Sequence, residues 1–121
     1  MRLKGEIAKE VTLYADGLVG VACVTKDMIV HYGVAEKDID NIVDIARSVE
    51  GVEVAVSIKE GSELVKVSLR SNEYIDVSKI AAKFGGGGHV RASGFVMSED
   101  YETAKQKVIN EVIKTVKEYK K

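Results

Sequence analysis

Two short runs with a period of two constrain the fold of this chain more than any other feature. Val52, Val54, Val56 and Ile58 alternate with Glu53, Ala55, Ser57 and Lys59. After a loop around Gly61, Val65, Val67 and Leu69 alternate with Lys66, Ser68 and Arg70. Successive side chains of a β-strand point to opposite faces, so each run reads as a strand with one buried face. Together they predict a hairpin. Its other face carries Ala55, Ser57 and Ser68 with Arg70 at one end, small side chains that leave room for a ligand or a neighbouring element.

The flanking segments supply helices and further strands. Ile7 to Ala15 reads as a strand, and Asp16-Gly17 as the tight turn after it. Leu18 to Thr25 is a nearly continuous apolar run, which suits a strand covered on both faces. Thr25 caps a short helix from Lys26 to Tyr32, and Gly33 stops it. Glu36 to Val49 has the apolar spacing of an amphipathic helix. Asp76 caps a helix from Val77 to about Phe84, with Ile75 and Ile80 as its apolar staple. Ala92 to Met97 reads as a strand. Ser98 caps a final helix beginning at Glu99, whose stripe is Tyr101, Ala104, Val108, Val112 and Val116. The predicted order is β-β-α-α-β-β-α-β-α, a single mixed α/β domain with a sheet of about five strands and helices packed on it.

The chain has 121 residues, neither proline nor tryptophan, and no low-complexity linker, so one domain over residues 1–121 is expected. A net charge of −1 excludes the broad basic field of a non-specific duplex binder and makes any anion site local. One cysteine, Cys23, excludes an intrachain disulfide and fits a reducing, cytoplasmic location. Met1 to Glu10 lack the apolar core of a signal peptide. No apolar run approaches the ~20 residues of a membrane helix, so no membrane partner is expected.

The second constraining feature is Gly85-Gly86-Gly87-Gly88-His89, followed by Val90 and Arg91. Glycine loses more backbone freedom on folding than any other residue. One glycine explains a helix C-cap and two explain a tight turn; four exceed both. Bare backbone N–H groups beside an imidazole and a guanidinium form a candidate phosphate cradle. The run lacks the Lys-Ser/Thr ending of a Walker loop, and it follows a helix rather than the strand of a dinucleotide fingerprint. Arg70-Ser71, at the end of a strand, offers a two-point phosphate contact with a hydroxyl beside it. The ordinary alternatives are a capping histidine, solvated arginines and a turn serine, and spacing alone does not bring Arg70 near His89. Cys23 reads as an inert core thiol. His31 has no metal-ligand partner at helical spacing, and the sequence offers neither a metal site nor a nucleophile with its base.

Phe84-Gly85-Gly86-Gly87-Gly88-His89-Val90-Arg91-Ala92-Ser93-Gly94-Phe95 closely resembles the glycine-histidine motif of the DHH phosphoesterase superfamily, in its C-terminal DHH-associated domain. Val67 to Ser71 is similar to the family's strand ending in Arg-Ser, Asp76 to Ala81 to its helix entering the glycine loop, and Val49 to Ala55 to the segment before them. The resemblance runs from about Gly17 to Val116 and points in particular to the nanoRNase (oligoribonuclease) and pAp-phosphatase branch. Val90 stands where many relatives have lysine and Ser93 where alanine is usual; the motif is otherwise intact.

The resemblance implies a substrate-binding domain that grips the phosphate of short single-stranded oligonucleotides or pAp. It assigns those contacts to Arg70, Ser71, Gly86, Gly87, Gly88 and His89, with Arg91 a further candidate. It implies that hydrolysis belongs to a separate DHH domain, in cis or in trans, which carries manganese. This chain would then bind without hydrolysing and hold no cofactor of its own, as an excised or a naturally separate domain, with a homodimer left open. Three other readings stay open: an RNA-binding appendage like that of alanyl-tRNA synthetase, the domain of a cyclic-dinucleotide phosphodiesterase, and a dimerisation module that binds no nucleotide.

Overall fold

The computed structural model describes residues 2–34 and 41–119. The elements are α1 (Arg2–Lys9), β1 (Thr12–Tyr14), β2 (Val19–Val24), α2 (Lys26–Tyr32), α3 (Val43–Arg47), β3 (Val54–Glu60), β4 (Val65–Ser71), α4 (Val77–Lys83), β5 (Gly87–His89), β6 (Ala92–Met97) and α5 (Tyr101–Tyr119). The strands form one mixed sheet in the order β1-β2-β3-β4-β6-β5. β2 and β3 run parallel, which requires a crossover, and α2 and α3 lie within it. The other neighbours are antiparallel. The expected hairpin forms, from Val54 opposite Ser71 to Glu60 opposite Val65.

Local chemistry sets several boundaries as the sequence predicts. The Thr25 hydroxyl accepts the Met28 N–H at 3.2 Å, and Gly33 ends α2 at φ 61°. Asp76 accepts the Ser78 N–H at 3.0 Å and starts α4. The turn before β2 has left-handed backbone at Ala15, Asp16 and Gly17, with φ of 52°, 58° and 85°.

Four expectations are corrected. Ile7 to Ala15 is not one strand: α1 holds Ile7, and only Thr12–Tyr14 pairs in the sheet. Leu3 and Ile7, four residues apart, are both buried, so the period that prevails begins upstream of the alternation. β3 is buried on both faces from Val54 to Ile58, because α3 covers Ala55 and its neighbours. A sixth strand, β5, is made from the glycine run itself. The final helix starts at Tyr101, and Asp100 rather than Ser98 takes the Thr103 N–H, at 3.0 Å. Of the predicted helix Glu36–Val49, residues 36–40 lie outside the described residues, and the described part is helical over Val43–Arg47.

The sheet divides two cores. On one face Val56, Val67, Leu69 and Phe95 pack against Val77, Ile80 and Ala81 of α4 and Ala104, Val108, Val112 and Val116 of α5. On the other, Ala22, Val24 and Ala55 pack under Leu3 and Ile7 of α1 and Ile42, Val43 and Ala46 around α3. Gly20 permits this second contact. A Cβ there would stand 3.2 Å from Val52 Cγ2 and 3.4 Å from the Ala46 carbonyl oxygen. The second cover is partial: its core residues come from α1, β2, α3 and β3, none from β4, β5 or β6.

Candidate functional site

Among the described residues the second face is left open beyond β4, and there Arg70, Gly87 and His89 share one surface. Arg70 stands opposite Ala92, and Ala92 opposite His89. Residues in register on neighbouring strands share a face, so Arg70, Ala92 and His89 form one row, with Arg70 and His89 two strand spacings, ~10 Å, apart. The next row is Ser68, Gly94 and Gly87, and the next holds Lys66 and Val96. The alternation of burial along β4 and β6 agrees: Val65, Val67, Leu69, Ser93, Phe95 and Met97 are buried on the helix side, while Lys66 and Val96 are exposed and Ser68, Arg70, Ala92 and Gly94 half-buried. The result is a shallow floor of small residues with Arg70 and His89 at its rim. Arg70 makes one hydrogen bond among the described residues, from Nη1 to the Leu69 carbonyl at 2.9 Å, so most of its donors stay available. His89 is fully on the surface of edge strand β5.

The four glycines do four different things. Gly85 takes φ 82° directly after the residue that caps α4, and its N–H donates to the Ala82 carbonyl at 3.1 Å. At Gly86 a Cβ would stand 2.3 Å from the Gly94 oxygen and 2.4 Å from Phe95 Cβ. At Gly88 the backbone has φ 147°, and a Cβ would stand 2.6 Å from the Ala92 oxygen. Gly87 alone of the four has neither a left-handed φ nor any atom within 4 Å of such a Cβ. The fold accounts for Gly85, Gly86 and Gly88. Gly87 lies bare on the open floor.

Ser71 and Arg91 are drawn into the scaffold. Ser71 is buried, and its hydroxyl donates to the Ile75 carbonyl at 2.6 Å. Arg91 Nη1 donates to the same carbonyl at 2.7 Å, and Nη2 to the carbonyl of Glu73. The loop so held, residues 72–76, is clamped from its other side by Glu53. This carboxylate is 4% exposed and accepts the N–H groups of Glu73 (3.0 Å to Oε1), Tyr74 (2.8 Å to Oε2) and Ile75 (2.9 Å to Oε2). A buried carboxylate is tolerated where its oxygens are satisfied in this way. Burial, then the Glu53 charge, push the Tyr74 hydroxyl above its ordinary pKa.

Glu53 escapes sequence reasoning because it occupies an outward-reading position of an alternating strand; the one available signal was a charged residue directly before β3. Lys66 and Val96 escape because their nearness to the glycine loop depends on sheet order. Cys23 is half-buried and packs on the core of α4 and α5, and His31 is exposed with its ring edge-on to Tyr32 at 4.9 Å. Among the described residues no three His, Cys, Asp or Glu side chains gather as a metal cluster, and no helix is long and apolar enough to cross a membrane.

A mixed six-stranded sheet with α4 and α5 packed on one face and α1 and α3 over part of the other defines a small α/β domain. The model of the DHHA1 domain matches residues 18–120, and the chain belongs to that family. It is 37% identical over 112 residues to the bifunctional oligoribonuclease and PAP phosphatase NrnA of Thermus thermophilus, covering 92% of this chain and 33% of that protein. The fold matches an exopolyphosphatase-related protein from Bacteroides fragilis with a TM-score of 0.85 at 29% identity, over 93% of this chain and 33% of that one. It also matches the C-Ala domain of Aquifex aeolicus alanyl-tRNA synthetase with a TM-score of 0.59 at 11% identity, over 86% of this chain and 96% of that one, a likeness of fold alone. The chain thus spans about a third of the length of that curated relative.

Proposed function

We propose that this domain holds the phosphate of a short single-stranded oligonucleotide, or of a small nucleotide such as pAp, on the open half of its sheet. Hydrolysis would belong to a separate DHH catalytic domain, joined in cis or supplied in trans, where manganese would act. The observation that carries this reading is Gly87: a bare backbone position that nothing inside the fold requires, on the open floor one row along from Arg70 and His89 and on the same strand as His89. A phosphate on the floor over β6 would meet the Arg70 guanidinium from the β4 side and the His89 imidazole and Gly87 backbone from the β5 side. Gly86 and Gly88 shape the strand that carries it. Ser71 and Arg91 hold the 72–76 loop against the end of β4, so their part in binding is to fix Arg70. The 37% identity to an oligoribonuclease and PAP phosphatase supports the substrate class. The net charge of −1 supports a short ligand over a long duplex, whose affinity rests on many phosphate contacts.

The test is titration of a fluorescent RNA trinucleotide with the wild-type chain, Arg70→Ala and His89→Ala. A charge-assisted contact contributes roughly 1.5–3 kcal/mol, so each variant should weaken binding about tenfold or more with no loss of thermal stability. Saturable wild-type binding unchanged by both substitutions would sink the proposed site.

A further inference from the structure

The open floor does not stop at the phosphate. From the Arg70–His89 row it continues along the same face through Ser68, Gly94 and Gly87 to Lys66 and Val96. Val96 is 53% exposed, a large apolar side chain on a strand whose alternate residues are buried. Lys66 beside it is exposed. Nothing bulky blocks the way, because the intervening row is a serine and two glycines.

Arg70 lies four positions on from Lys66, ~13 Å along the strand. A stacked nucleotide strand advances ~3.4 Å per residue, so a chain of two to four nucleotides, more or less extended, spans that distance and a single nucleotide does not. Resting on the proposed phosphate site, we infer that Lys66 and Val96 form a second subsite, in which Lys66 meets a distal phosphate and Val96 offers an apolar surface to a base. The subsite makes the domain favour short oligonucleotides over mononucleotides.

The experiment compares a labelled RNA trinucleotide with labelled adenosine monophosphate on the wild-type chain, Lys66→Ala, Val96→Ser and Arg70→Ala. Lys66→Ala should weaken the trinucleotide up to about fivefold, as an exposed ion pair allows, and leave the monophosphate unchanged. It should also lower the slope of log affinity against log salt for the trinucleotide by about 0.7, a change that mere structural damage does not produce. Val96→Ser should weaken the trinucleotide alone, and Arg70→Ala both ligands. Equal weakening of both ligands by Lys66→Ala, or of neither, overturns the second subsite while the phosphate site stands. Wild-type protein that binds neither ligand overturns the phosphate site and the subsite with it.

Discussion

At the scale of single residues, the glycine run shows how one compositional oddity resolves into separate physical demands. Gly86 and Gly88 are required by the backbone of β6 pressing on them, and Gly85 by a left-handed φ. Gly86→Ala should cost about 1–3 kcal/mol or more, because the atoms it would meet are the Gly94 backbone and the root of Phe95, neither able to swing away. Gly87→Ala meets nothing and needs no unusual φ, so its stability should stay within about 1 kcal/mol of wild type, and a slight gain through the unfolded chain is expected. Thermal melts of the pair test the division. Oligonucleotide binding should fall for Gly87→Ala despite its intact fold, since the added methyl stands on the floor the phosphate needs. The sequence flagged the run as excessive but did not separate its members; that needed the hairpin partner, β6, whose approach decides which Cβ has room.

At the scale of elements, the loop between β4 and α4 adjoins the proposed site, and it is held by charge on both sides. Glu53 satisfies three consecutive N–H groups from below while Arg91 binds the carbonyls of Glu73 and Ile75. Glu53→Gln turns one acceptor into a donor facing those N–H groups, and should destabilise the domain by about 3 kcal/mol, with faster amide exchange at Glu73, Tyr74 and Ile75 than elsewhere in the sheet. The helix caps make a second, pH-dependent contribution. The Ser78 hydroxyl holds the Asp76 carboxyl below its ordinary pKa of 3.8, and the Thr103 hydroxyl does the same for Asp100. A carboxylate whose pKa is lower folded than unfolded adds stability that is fully present above the unfolded value and disappears as pH falls through the folded one. The caps should therefore add nothing to the pH dependence between pH 7 and 5 and should weaken the domain below about pH 4. Asp76→Asn with Asp100→Asn should flatten that part of the melting profile. Local signals of this kind were legible: Thr25, Gly33 and Asp76 act as the sequence predicts because capping needs only neighbours in the chain. Ile7 was misread as strand because the competing helical period runs back to Leu3, where the intervening charges suit either element.

At the scale of the whole molecule, the proposed function rests on an asymmetry between the two faces of one sheet. α4 and α5 pack on one face, whereas among the described residues α1 and α3 cover β2 and β3 on the other, with α3 reaching as far as β4. The strand order decides this: β6 and β5 are added beyond β4, past the reach of α3, so the edge hairpin that carries the glycines lies outside the second core. The β3–β4 hairpin and helices α2 and α4 could be read from sequence, but neither α1, nor β5, nor the insertion of β6 between β4 and β5 could, and that insertion sets Ala92 between Arg70 and His89. Ala92 is accordingly the position where packing and function separate most cleanly. It is half-buried, its side chain belongs to the floor rather than to either core, and its neighbours in the row are the two proposed phosphate contacts. Ala92→Leu would raise a branched side chain between them and fill the floor. Its stability should stay within about 1 kcal/mol of wild type, as for surface changes away from a core, while phosphate binding is lost. Equilibrium unfolding and trinucleotide titration on the same sample separate the two effects. Unfolding at unchanged affinity per folded molecule would mean that the floor is part of the core; loss of binding at unchanged stability is the result expected if the half-open face exists to hold a ligand.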